Sequence, residues 1–114
     1  MRPPKGFFEQ ISLSVIRVLE PSYRSLDLRD IRRSFWVISH VREGLVNMTA
    51  AGREYTVRPG DVMVHPPNIP FDERNPGPGT HQVLYLDVGL SSRVELLQLY
   101  PVSPVVRLPD PDRF

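Results

Sequence analysis

The sequence predicts an all-β jelly roll, packed as a sandwich or barrel, with one short helix near its C-terminal end. Three observations carry that expectation. Thirteen prolines and seven glycines cut the 114 residues into short pieces. Between the cuts the apolar residues alternate instead of recurring at helical spacing, which marks strands with one buried face. About eight such segments, in a chain of single-domain length, suit an antiparallel double-sheet architecture.

The first segment, ISLSVIRVL (Ile11–Leu19), sets Ile11, Leu13 and Val15 on one face before the pattern slips, so a bulge is expected within it; Pro21 ends it. SFWVISHV, residues 34–41, places Phe35, Val37, Ser39 and Val41 on one face and Trp36, Ile38 and His40 on the other. With both faces largely apolar, it should be a central strand. Residues 45–57 read as a hairpin turning through Ala50, Ala51 and Gly52, with Tyr55 and Val57 on one face of the returning strand. The Pro59-Gly60-Asp61 turn then leads into VMVH, and the Asp61 carboxylate is expected to bond backbone N–H groups as part of the frame.

The loop NPGPGT, residues 75–80, is followed by HQVLYLDVGL, where Val83, Tyr85 and Asp87 lie opposite Leu84, Leu86 and Val88. SSRVELLQLY, residues 91–100, supplies the helix: Ser92 and Glu95 have capping-box spacing ahead of Leu96, Leu97 and Leu99, and Pro101 stops it. A last short strand is expected at residues 105–108, so the single domain has its core over about residues 11–108.

Fourteen basic residues nearly balance thirteen acidic ones, so the composition advertises no polyanion-binding surface. The densest basic run, RDIRRS at residues 29–34, reads as a solvated turn or strand edge. The absence of cysteine excludes disulfides and thiolate metal sites and is compatible with a reducing compartment. MRPPKGFFEQ lacks the continuous apolar core of a signal peptide, and no stretch approaches the roughly 20 apolar residues of a spanning helix. The expectation is a soluble cytoplasmic protein.

Catalytic constellations are poorly represented. An imidazole metal site needs at least two histidines converging with a carboxylate, and His40, His65 and His81 show no ligand-pair spacing. No serine occupies a Gly-x-Ser-x-Gly elbow. A non-enzymatic domain without cofactor is therefore expected, the alternative being a stand-alone enzyme with a non-standard metal site built from those histidines.

RPGDVMVHPPNIPFDERN, residues 58–75, sharpens this. Gly60, Pro66 and Asn75 resemble the second motif of cupin barrels, G-x5-P-x-G-x2-H-x3-N, with Asn68 at the second Gly and Phe71 where the motif has its metal-binding His. Gly44 resembles the Gly that closes the first motif, whose His-x-His and Glu positions fall near Arg32 and Val37. VREGLVNMTAAGREYTVRPGDVMVHPP is, more specifically, similar to the N-terminal effector-binding domain of AraC-type transcription regulators, over about residues 35–90. Gly52, Arg53, Tyr55, Pro59, Gly60, Asp61, Pro66 and Pro67 carry that register.

The resemblance implies a cupin-like barrel that holds a small effector, a sugar or other polar metabolite, and forms a homodimer. It also implies DNA binding only through a C-terminal helix-turn-helix half that these residues do not contain. Such a pocket needs an apolar wall, an aromatic face and a few fixed polar groups, and the face of Val83, Tyr85 and Asp87 supplies all three. Tyr85 matches the aromatic pocket position of the family, Phe71 fills the vacated ligand position, and Trp36 is a further candidate for the cavity wall. Glu20 and Arg29 resemble polar positions at the pocket mouth. Arg29 would clamp an anionic effector, whereas Glu20 with Asp72 or Asp87 would accept from the hydroxyls of a neutral one.

Overall fold

The computed structural model describes residues 11–90 and 103–108, with side chains over residues 13–87 and 103–108. Ten strands form within them: β1 (Ile11–Leu19), β2 (Ser22–Tyr23), β3 (Leu26–Ile31), β4 (Trp36–Glu43), β5 (Val46–Ala50), β6 (Arg53–Val57), β7 (Asp61–His65), β8 (Phe71–Asn75), β9 (Gly79–Leu90) and β10 (Val105–Arg107). One sheet runs β1-β9-β4-β7-β10, with β2 also paired to β9; the other runs β3-β8-β5-β6. Every strand pairing among the described residues is antiparallel.

Several expectations hold. β1 shows its register shift between Val15 and Arg17. β4 is central, flanked by β9 and β7. The β5–β6 hairpin turns through Ala51 and Gly52, both at positive φ (50° and 75°), the combination that matches the twist of the paired strands. Asn68, standing at the motif's Gly, takes φ 63°. Val41, Val46, Met48, Val57 and Met63 are fully buried and draw on both sheets, so the core lies between them.

Three features differ. The sheets are not closed into a barrel: β6 and β7 are consecutive, yet they end up in different sheets because the turn at residues 58–60 carries the chain across the core. The expected helix over residues 91–100 lies outside the described residues. Strands β2, β3 and β8 have no counterpart among the expected segments: β2 is two residues long, the Leu26/Leu28 alternation of β3 breaks at a bulge, and that of β8 is written largely in polar residues. FDERN buries Phe71, Glu73 and Asn75 and turns Asp72 and Arg74 outward, a period of two hidden by charge. Leu28 and Ile31 of β3 flank a bulge at which Asp30 takes φ 49°, and its N–H is held by the Asp72 carboxylate at 2.6 Å.

The crossing turn is fixed by Asp61, whose carboxylate accepts from the Arg58 N–H at 3.0 Å while its own N–H bonds the Arg58 carbonyl at 2.9 Å. Gly60 N–H reaches the Val41 carbonyl at 2.8 Å, tying the turn to β4. At the other connection, Gly44 has φ 97° and a β-carbon there would lie 2.6 Å from Asn75 Nδ2 and 2.8 Å from the Pro78 carbonyl oxygen. Gly52 has φ 75° but open space around it. Gly52→Ala should therefore cost about 1 kcal/mol from backbone strain alone, and Gly44→Ala about 2–3 kcal/mol because strain and collision add. Urea unfolding of the two variants side by side checks that order; equal losses would mean that the Asn75 contact contributes nothing.

Candidate functional site

The space between the sheets is not uniformly apolar. Strand register puts Val37, Ser39 and Val41 of β4 beside Tyr85, Val83 and His81 of β9, and puts His65 and Met63 of β7 beside Val37 and Ser39. The facing sheet contributes Phe71, Glu73 and Asn75 from β8 and Met48 from β5. Five of these, Ser39, His65, Glu73, Asn75 and His81, are polar and nearly inaccessible, each at 6% exposure or less. Buried polar groups are costly unless bonded, so their partners define the site.

They fall into two clusters. His65 Nε2 meets Glu73 Oε1 at 3.3 Å, and the His65 ring lies flat against Phe71, with centroids 3.6 Å apart and planes 8° from parallel. In the second cluster, Tyr23 Oη and His81 Nε2 are 2.8 Å apart, Asn75 Nδ2 donates to Tyr23 Oη at 3.4 Å, and His81 Nδ1 faces Ser39 Oγ at 3.3 Å. Burial holds the His81 pKa below its ordinary 6.5, against the opposing pull of Glu73. Burial also holds the Tyr23 phenol above 10.0, an effect that the Asn75 hydrogen bond offsets in part. A neutral imidazole and a protonated phenol give one consistent assignment: Asn75 donates to Tyr23, Tyr23 donates to His81 Nε2, and His81 Nδ1–H donates to Ser39.

A cavity of about 270 Å³ opens where the edge strand β6 stands apart from β7 and β10. Tyr55, His65, Phe71, Ile69 and Pro104 help to line it, with Arg53 at the same wall. A second cavity, of about 250 Å³, shares Ala50, Ala51, Ile69 and Phe71 with the first and lies beside Asp30 and Asp72.

The expected site residues are only partly brought together. Val83 is buried on the inner face, and Tyr85, half-buried on that face, packs against Phe35 at 4.8 Å. Asp87 is exposed further along β9. Phe71 is buried on the facing sheet, stacked on His65. Trp36, although buried, pairs with Leu86 and so occupies the opposite face of its sheet from Val83 and Tyr85. Glu20 is exposed and lines a groove with Val18, Leu19 and Leu84. Arg29 is exposed and paired with Asp27 at 3.0 Å, and Asp72 is engaged with the Asp30 N–H at 2.6 Å.

Glu73, Asn75, Tyr23 and the orientation of the histidines were not among the expected site residues. The signal that finds Glu73 and Asn75 is the inward period of FDERN; nothing local marks Tyr23, which reaches His81 across 58 positions. Among the described residues no group of three or more His, Asp or Glu side chains is placed to hold a metal ion, and no helix is long and apolar enough to cross a membrane.

The family described as AraC-like ligand binding domain matches residues 15–109. Solved structures share the fold: a cupin superfamily protein from Desulfitobacterium hafniense (14% identity, TM-score 0.56) aligns over 69% of this chain and 79% of its own. YhaK from Escherichia coli (14%, TM-score 0.57) aligns over 74% and 40%, and the DMSP lyase DddQ from Ruegeria pomeroyi (14%, TM-score 0.52) over 93% and 55%. At such identity these likenesses concern the fold alone. No curated protein matches the chain.

The His81 environment makes stability pH-dependent. Its folded pKa is lowered, so the unfolded chain binds the extra proton more readily; the stabilisation is complete above 6.5 and is lost as pH falls through the depressed folded value. Unfolding free energies should fall on acidification below 6.5, and His81→Gln should flatten that dependence. An unchanged slope in the variant, measured by urea titration across that range, would assign the loss to other groups.

Proposed function

The chain belongs to the AraC-like ligand binding domain family, and from that premise we propose that it is the small-molecule effector-binding domain of a transcription regulator. In this reading it is non-catalytic and acts in the cytoplasm. Effector occupancy controls a helix-turn-helix half elsewhere in the full protein, by shifting the balance between two arrangements of the domain. The observation that carries it is the polar interior: Glu73, His65, His81, Ser39 and Asn75 are buried between the sheets, where a purely structural sandwich would place apolar side chains. Polar groups converging beside an apolar and aromatic wall are what a polar metabolite requires. In this reading Val83, Tyr85 and Phe71 form that wall, and of the polar candidates Asp72 is the one beside Phe71, at the 250 Å³ cavity.

Thermal shift against a panel of sugars, polyols and small organic acids tests the reading. A ligand at 100 times its dissociation constant adds about 2.7 kcal/mol to stability. Tyr85→Ala should remove the shift while leaving a cooperative unfolding transition. A domain that responds to no panel member would stand as a structural module instead.

Homodimer formation is part of the proposal and finds support in β1. This edge strand exposes Leu13, Val15, Ile16 and Val18 at 51–71%, with Arg17 its only charge. An apolar edge of this length invites pairing with another chain. Sedimentation should show concentration-dependent association that Val15→Glu with Val18→Glu abolishes; a monomer at every concentration would remove the dimer clause.

A further inference from the structure

The cavity between β6 and the β7–β10 edge lies away from the Val83 and Tyr85 positions, which do not line it. Seven of its ten lining residues have apolar side chains, and no aspartate or glutamate is among them. Its charge comes from Arg53, which pairs with Ala50 as Tyr55 pairs with Met48, so Arg53 occupies an inward-facing register position at the cavity mouth. The guanidinium has no ion-pair partner among the described residues. His65 contributes a ring whose Nε2 is already directed at Glu73, and Tyr55 contributes a half-buried phenol.

We propose that this cavity is a binding site for a small carboxylate with a compact apolar body, its carboxylate on Arg53 and its body against Phe71, Ile69 and Pro104. Size and chemistry agree. An apolar cavity of about 150 Å³ holds a benzene ring, so 270 Å³ takes a single ring or a branched chain together with its acid group. A polyol would leave its hydroxyls against alanine, proline and isoleucine without partners. A planar guanidinium at the mouth is the donor geometry that a carboxylate matches with two hydrogen bonds.

The position of the cavity adds a consequence. Pro104 forms part of its wall, and the Pro104 carbonyl accepts the Val64 N–H at 2.9 Å, immediately before β10 pairs with β7. A ligand filling the cavity braces Pro104 and so fastens β10, the last described strand, to the sheet. The proposal rests on the small-molecule-sensing reading and places the ligand on the His65 and Phe71 side of the interior, away from Val83 and Tyr85.

Benzoate and 3-methylbutanoate are the probes, with benzyl alcohol as the uncharged control, titrated into the 114-residue chain and followed by amide NMR. Both acids should give saturable shifts at Ala51, Arg53, Tyr55 and Ile69, and amide exchange at Val105–Arg107 should slow on binding. Arg53→Gln, at an exposed position and so without effect on folding, should weaken the acids by about tenfold or more, the loss of a charge-assisted hydrogen bond, and leave benzyl alcohol unchanged. Neither acid binding, or equal affinity in Arg53→Gln, would overturn the proposal. Shifts confined to Val83 and Tyr85 would overturn it too while leaving the sensing reading in place. Failure of the sensing reading is scored separately by the metabolite panel and Tyr85→Ala.

Discussion

The fold depends on how the chain crosses from one sheet to the other between Val57 and Asp61. Three residues make that passage, and the Asp61 carboxylate, 4% exposed, holds it. One oxygen accepts the Arg58 N–H at 3.0 Å and the other the Arg107 Nε at 2.9 Å, with a longer second contact from the guanidinium at 3.4 Å. A carboxylate buried to this extent is tolerable only when its lone pairs are matched, and here the matching groups come from the turn itself and from β10, 46 positions away. The same anion therefore sets the start of β7 and fastens β10, the last strand among the described residues, beside it. Because the turn throws β7 onto the opposite sheet, β6 is left as an edge, and the space beside it is a consequence of the crossing rather than a packing fault.

The interior polarity follows a second logic. Fully satisfied polar groups between sheets add little net stability, since each hydrogen bond replaces one to water, but they restrict which arrangement of the sheets is acceptable. Tyr23 belongs to the short strand β2, yet its phenol ties Asn75 of β8 to His81 of β9, so one side chain bridges both sheets. Near neutrality the Tyr23 phenol keeps its proton and the His81 ring is neutral, because burial raises the phenol pKa and lowers that of the imidazole. The ring of His81 also stands edge-on to Tyr23, 5.2 Å away at 89°, which fixes the orientation that the hydrogen bonds need.

Much of this was legible in the sequence, for reasons that also show where legibility ends. Strands written in apolar residues, such as Ile11–Leu19 and the central Trp36–Glu43, announce themselves through alternation, and Gly52 marks its hairpin through a backbone preference that operates locally. Asp61 in its turn is equally local, bonding a residue three positions away. The inner and outer faces of β9 were also correctly divided, since a period of two leaves no freedom once one residue is placed. What could not be read was the meeting of distant residues. Arg29 has the composition of an anion clamp, yet its nearest carboxylate is Asp27, two positions away on the same exposed strand. Trp36 has the bulk of a pocket wall but the parity of the opposite face. Glu73 sits among charges that suggest solvent, and only the facing sheet turns it inward beside His65.

Phe71 shows how one position can redirect a shared fold. In the cupin motif this position carries an imidazole that presents an in-plane lone pair; here it carries a ring that presents only its faces and edge. One of those faces lies on His65 at 3.6 Å, so the neighbouring imidazole is covered by carbon and its Nε2 turns to Glu73. The same ring borders both the 270 Å³ and the 250 Å³ cavities, together with Ala50, Ala51 and Ile69. The phenyl group thus fits its surroundings: it fills volume, covers one face of a buried, hydrogen-bonded imidazole, and offers apolar surface to both cavities. For the effector-binding reading proposed above, this means recognition by shape and by a few fixed polar groups, with selectivity set by which of the two cavities an apolar body enters while its polar end stays satisfied.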